Sequence, residues 1–282
     1  MALTRHGSGP GAVVRAYASQ VHPVFMLPAL AASAFGAVLA GSLHPVGLLH
    51  LAVTFCSLYT AHLKDGYVDF YGREEDDDHP LTESGCRLGL AVTTALFFLG
   101  AAALWVLVAP VAALLALPGW LIGYFHAPQL DTNPVTATAG YPVGIGVTIL
   151  GGYYVQSASL SGRALAFGAV FVVVLSGIKV VDDAKDYEFD RAIRKRTVAV
   201  AVGRRRARSV AFALMAAGLL AAVALTAAAV FPPSSIVGVA AFAAVAAVAR
   251  RADDRLATML LIRGSYLFLA ALVAAVWFRP LG

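Results

Sequence analysis

Long apolar runs, broken only by tight turns or by clusters of charge, recur along this chain. Nine can be drawn, at about 21–41, 46–64, 88–109, 111–126, 138–159, 164–182, 208–230, 234–250 and 256–277. A helix needs roughly 20 apolar residues to cross a bilayer. Most of the nine approach that length; the fourth and eighth are shorter. In lipid every backbone amide must find a partner within the protein, which leaves helices or closed barrels. Runs of this length fit helices. The expected fold is therefore all-α, a polytopic membrane helical bundle with nine transmembrane helices. Only 13% of the residues are charged, against about 25% in soluble domains, so a soluble globular fold is excluded. Residues 1–282 read as a single membrane-embedded domain, with 1–20 as a short N-terminal arm. That arm, "MALTRHGSGPGAVVRAYASQ", has no short apolar core before a small-residue cleavage site, so no signal peptide is expected. Cys56 and Cys86 are the only cysteines, with neither metal spacing nor a disulfide framework.

Charge placement orients the bundle. Of 21 Lys and Arg residues, 17 fall in the N-terminal arm or in the loops after segments two, six and eight. Positive charge collects on the cytoplasmic side, so the N-terminus is expected inside and the C-terminus outside a cell membrane. The basic run "RAIRKRTVAVAVGRRRAR" could suggest a nucleic-acid patch. Between two spans it reads instead as topology signal with attraction to anionic membrane lipids, and no nucleic-acid partner is expected.

Acidic residues say little about orientation, yet they gather at the same face. "HLKDGYVDFYGREEDDDHPLTESG" closes the second segment and "GIKVVDDAKDYEFDRAIRKRT" closes the sixth. Asp65 and Asp69 are four apart and would stack on one helix face. Asp183, Asp186 and Asp190, spaced three and four, would share another, with Asp182 at its edge. Both Asp182 and Asp186 lie 117 residues after a first-motif partner, Asp65 and Asp69 respectively. Like charges on one face destabilise a helix, and ionisable groups near a membrane are functional candidates. A hard cation would relieve the crowding. Oxygen ligands without a His/Cys pattern suit Mg²⁺, which combines one or two carboxylates with water and phosphate oxygens. Two such faces opposed would hold Mg²⁺ on a diphosphate, with Asp65, Asp69, Asp183, Asp186 and Asp190 as ligands. Lys64, Arg73, Lys185, Arg194, Lys195 and Arg196 could neutralise the phosphate oxygens.

The blander reading takes other residues. Glu74, Glu75, Asp76, Asp77, Asp78 and Glu83 form a run that reads as solvated loop. Lys179, one turn before Asp183, is either a local ion pair or a substrate contact. His22, His44, His50, His62, His79 and His126 are scattered and read as structural or interfacial.

The second motif, "DAKDYEFDRAIRKRTVAVAVG", closely resembles the second Asp-rich motif of the UbiA superfamily of intramembrane prenyltransferases. The first, "DGYVDFYGREEDDDHPLT", resembles that family's first motif with two departures. Asp65 takes the place of an Asn, and Arg73 stands where a third acid is often found. "QVHPVFMLPAL" resembles the family's opening helix with His22 for Arg. "YFHAPQL" keeps Tyr124 but has Pro128 where other branches place a Lys. The resemblance implies nine helices, Mg²⁺ as cofactor, and transfer of a polyprenyl group from an allylic polyprenyl diphosphate to a lipophilic acceptor through a carbocation. It implies catalytic roles for Asp65, Asp69, Asp186 and Asp190, and a diphosphate contact for Tyr124. Tyr67, Tyr141 and Tyr153 are candidates to steady the cation. A cation-coupled transporter and a catalytically degenerate family member are the competing readings. The acceptor and the donor's chain length are not encoded in any motif.

Overall fold

A computed structural model describes residues 2–281. Among these residues there are twelve α-helices and no strand. A short arm helix, α1 (Pro10–Ala18), precedes α2 (Pro23–Ala40), α3 (Val46–Tyr67), α4 (Glu83–Leu107), α5 (Pro110–Phe125), α6 (Pro134–Ser157) and α7 (Gly162–Lys185). Two short helices, α8 (Tyr187–Ala192) and α9 (Val198–Val202), lead to α10 (Arg204–Ala227), α11 (Ser235–Ala249) and α12 (Asp254–Phe278). Nine of these are apolar and stand where the hydrophobic runs put them. Seven are long and apolar enough to cross a membrane. The other two, α5 and α11, have 16 and 15 residues. At 1.5 Å per residue they reach about 24 Å, short of a hydrocarbon core of about 30 Å.

The boundaries follow local chemistry. Pro23, Pro110 and Pro134 open α2, α5 and α6, where a missing N–H costs nothing. Thr82, Asn133, Ser161, Thr197 and Asp253 cap the following helices through their side-chain oxygens. Large apolar side chains such as Leu99, Val106 and Leu220 remain exposed on the outside of the bundle, as lipid-facing positions should.

Small residues set the closest packing. A Cβ on Gly152 of α6 would come within 2.1 Å of the Ser33 carbonyl oxygen on α2, and one on Gly36 within 2.2 Å of the Ile149 carbonyl oxygen. The Gly-rich run in α6 therefore serves close packing at that end. Gly144, two turns earlier, instead borders a cavity. Phe167 of α7 packs edge-on against Phe35 and stacks on Phe231 at 3.7 Å, joining the two halves of the chain in one core.

The N-terminal arm is stitched to the loop after α3. Thr82 N–H donates to the Leu3 carbonyl at 3.1 Å and Arg5 N–H to the Pro80 carbonyl at 2.9 Å. The Arg5 guanidinium lies 4.3 Å from the Phe70 ring centroid.

Candidate active site

The acidic end of α3 is not a continuous α-helix. At Val68–Gly72 it widens into a π-turn, and Arg73 N–H donates to the Val68 carbonyl at 2.9 Å. Such turns insert a residue and re-aim the side chains beyond it. Asp65 precedes this turn and Asp69 lies within it. Asp65 borders a large cavity within the bundle. Asp69 faces Arg73, whose Nη1 lies 3.7 Å from its Oδ1.

Arg73 is the centre of a buried ion cluster. Its Nη2 donates to Asp131 Oδ2 at 2.6 Å, and its Nη1 is 3.5 Å from Glu75 Oε1. Lys195, from the loop after α8, donates to Glu75 Oε2 at 3.4 Å. Arg196 N–H donates to the Asp131 carbonyl at 2.9 Å. The two acidic regions, 120 residues apart at the Lys195–Glu75 contact, thereby meet through the turn Leu130–Thr132. Glu75 and Asp131 were not legible as site residues. Glu75 lay within a run read as solvated, yet it turns inward while Glu74, Asp76, Asp77 and Asp78 are exposed.

The second acidic region is interrupted as well. Helix α7 ends at Lys185, and Asp186 takes up off-helical dihedrals of −100° and 16°. Asp183 is buried and paired with Lys179, whose Nζ is also 3.8 Å from Asp182 Oδ2. Lys179 is therefore a local ion pair, and it borders the cavity as well. Asp186 is exposed, and Lys185 Nζ sits 3.3 Å from its Oδ2 and 3.0 Å from Asp182 Oδ1. Asp190, on α8, is buried again. Burial, and then the neighbouring Asp183 carboxylate, pushes its pKa up to about 6 against the partial relief of Lys195 and Lys179.

The cavity, of about 380 Å³, opens beneath these groups. Asp65 and Asp182 border it together, with Lys179 beside them. This is the pair with the 117-residue offset that brings the motifs to one space; Asp69 and Asp186 do not border it. The deeper wall is apolar, with Leu58, Leu115, Ile122, Leu175, Ile178 and Ile262. His22, His62 and His126 also line the cavity, so these histidines are gathered, not scattered. The His22 and His62 rings lie 4.7 Å apart. Only the fold could reveal this grouping, since the three residues come from the start of α2, α3 and the end of α5.

The other predicted contacts divide. Tyr141 borders the cavity. Tyr153, on the same helix, does not; 12 residues along, it lies about 18 Å further up the axis. Tyr67 turns away to Glu83, 3.2 Å from its Oε1. Lys64 Nζ sits 5.3 Å from the Tyr124 ring centroid, outside the cavity lining. Arg194 and Arg196 are exposed at the same end.

Among the described residues no three His, Cys, Asp or Glu side chains are already gathered as a metal site. Lysines and arginines occupy the carboxylates instead. The donor set nevertheless fits a hard divalent cation. Asp69 Oδ1, Glu75 Oε1, Asp131 Oδ1 and Asp183 Oδ2 are buried without a hydrogen-bond partner, and all are carboxylate oxygens.

The family model of the UbiA prenyltransferase family matches residues 25–272. Comparison of the sequence with curated proteins finds no match. Solved structures share the fold. One, from work on digeranylgeranylglyceryl phosphate synthase in membranes, aligns with a TM-score of 0.73 at 13% identity, covering 94% of this chain and 99% of that one. A UbiA homologue from Aeropyrum pernix K1 aligns at 0.72 with 17% identity, over 90% and 98%. A UbiA homologue from Archaeoglobus fulgidus, bound to DMAPP and Mg²⁺, aligns at 0.68 with 16% identity, over 93% and 99%.

Proposed function

Because this chain belongs to the UbiA prenyltransferase family, we propose that it transfers a polyprenyl group from an allylic polyprenyl diphosphate to a lipophilic acceptor, with Mg²⁺ as cofactor. The Archaeoglobus homologue's DMAPP and Mg²⁺ support carrying donor class and cofactor to this integral membrane protein. The observation that carries the reading is the placement of Asp65 and Asp182 together at an apolar cavity that also holds Lys179.

Asp65, Asp69, Asp183, Asp186 and Asp190, with Asp182, would hold Mg²⁺. When bound, it supplies positive charge against the diphosphate oxygens as the leaving group develops. The protein's own cations do related work. Lys185 is parked on Asp182 and Asp186 and is free to turn to phosphate oxygens once those carboxylates take metal; Arg73 and Lys195, held in the buried cluster, and Lys64, Arg194, Arg196 and Tyr124 flank the same end. The allylic C–O bond breaks with its electron pair leaving on diphosphate. The apolar wall keeps water from the allylic cation, and the face of Tyr141 can steady it. The prenyl tail lies along Leu58, Leu175 and Ile178.

In this reading the chain is a single domain with all nine apolar helices crossing a cell membrane, α5 and α11 included, and with the site on the cytoplasmic side. The test is incubation of purified protein with radiolabelled geranylgeranyl diphosphate. Mg²⁺-dependent release of diphosphate, abolished by chelator and by Asp182→Asn, is expected. A donor left intact with Mg²⁺ present would overturn the proposal.

A further inference from the structure

The arginines that open α10 take no part in the site above. They meet the turn between α11 and α12. The two stretches, 204–208 and 250–255, hold seven arginines and only two acids, Asp253 and Asp254. Arg208 builds this corner. It donates to the Asp254 carboxylate, to the Ala249 carbonyl at 3.0 Å and to the Ala252 carbonyl at 2.6 Å. Arg204 lies 3.9 Å from Asp254 as well, and Asp253 accepts from Leu256 N–H at the cap of α12. Both acids are therefore occupied.

Beside the corner a groove of about 430 Å³ runs along α10. Arg205, Arg208 and Arg250 border its charged end, and no acid borders it anywhere. Arg205 and Arg250 are exposed. Among the described residues the ion pairs at this corner belong to Arg204 and Arg208, and neither Arg205 nor Arg250 has one. The groove continues past Phe212 and Ala213 to Ala216. Ala216 is eleven residues beyond Arg205, about 16 Å along the helix axis, and well inside an apolar span. Ala213 and Ala216 are exposed, and their small side chains leave a trough beside Phe212.

The two ends of the groove ask for different chemistry on one ligand. Guanidinium groups fork onto phosphate oxygens. The lower end has no polar side chain, so a nucleotide or a nucleic acid would leave it uncovered, whereas an acyl chain would fill it. Basic pockets between membrane helices suit lipid headgroups for this reason.

We propose that the groove is a binding site for one anionic phospholipid. Arg205 and Arg250 hold its phosphate, Arg208 fixes the wall between them, and an acyl chain lies along Phe212, Ala213 and Ala216. The site depends on the placement of α10 in a membrane and is independent of prenyl transfer. It confines to one place an attraction that a basic run would otherwise spread over the whole surface.

The experiment titrates full-length protein, stripped of lipid in detergent, with dioctanoyl phosphatidylglycerol, dioctanoyl phosphatidylcholine or glycerol 3-phosphate, and counts bound molecules by native mass spectrometry. One phosphatidylglycerol is expected to bind about tenfold or more tighter than either other probe. Arg205→Gln combined with Arg250→Gln should weaken it about tenfold or more. Arg206→Gln combined with Arg251→Gln removes the same charge from exposed positions outside the groove and should weaken it under about threefold. Ala216→Trp, which fills the lower end, should weaken phosphatidylglycerol about fivefold and leave glycerol 3-phosphate unaffected. Equal losses in the two double variants would reduce the site to diffuse attraction and overturn the proposal. Equal binding of the two phospholipids, glycerol 3-phosphate binding as tightly as the lipid, or unchanged lipid binding in Ala216→Trp would each overturn it too.

Discussion

The acidic end of α3 and the acidic end of α7 balance their charges in different ways. At α3 the partners come from far along the chain: Arg73 reaches Asp131, and Lys195 reaches Glu75. That cluster is largely buried, and three carboxylates share two cations. At α7 each carboxylate is matched within one turn, Asp183 by Lys179 and both Asp182 and Asp186 by Lys185. The part-exposed Lys185 pairs are worth under about 1 kcal/mol and re-form easily, although the Lys179–Asp183 pair beside them is buried. A buried cluster that crosses the chain is held by the whole fold. The first end therefore acts as a fixed wall, and the second as an adjustable one that can swing toward a ligand.

The largest effect should come where the two ends meet. Asp65→Asn and Asp182→Asn each remove a carboxylate at the cavity and should lower kcat by about 10²–10³. Equal losses would mean that both walls serve the same step. A loss confined to Asp65→Asn would break the pairing of the two positions. Diphosphate release under single-turnover conditions measures this.

Removal of the central guanidinium tests the fixed wall. Arg73→Met leaves Asp69, Glu75 and Asp131 crowded in a buried site, and losing one partner of a buried pair costs about 3–5 kcal/mol. In detergent the metal-free variant should melt well below the parent, with part of the loss recovered by added Mg²⁺.

The third effect is one of pH and falls on Asp190. Its folded pKa, about 6, exceeds the ordinary value of 3.8. The folded state then binds more protons than the unfolded one between those values. This contribution is complete below about 3.8 and is lost as pH rises through about 6. Metal-free protein should therefore gain roughly 2–4 °C in Tm from this site on acidification from pH 7 to 5. Asp190→Asn should flatten that slope. Mg²⁺ affinity should fall over the same interval, since binding must displace the proton.

The smallest effect belongs to the adjustable wall. Lys185→Met breaks a half-exposed pair and should cost under about 1 kcal/mol in the unliganded protein. Its donor KM should rise more than its melting temperature falls. A stability loss as large as that of Arg73→Met would erase the contrast between the ends.

Much of this was legible in the sequence. Apolar run length located all nine apolar helices, because a span's length is fixed by the bilayer. Acid spacing found both helix ends. It could not find the π-turn at Val68 or the break at Asp186, since four-residue spacing reads the same whether or not the helix continues. Asp131 carried no motif of its own, and Glu75 was hidden among five exposed acids. The grouping of His22, His62 and His126 depends on how three elements pack, which no periodicity records. Arg73 was legible as a departure from the family's pattern; that it ties Asp69, Glu75 and Asp131 together was not.

The seam between residues 3–5 and residues 80–82 has a practical corollary. The backbone just after the start of the chain forms a hem on the loop that carries Glu75 and leads back into the bundle. An affinity tag or fluorescent protein fused at that end would tug on the hem, while one fused after α12 would not touch it. Fusions at the two ends should therefore differ in donor turnover even when they reach the membrane in equal amounts.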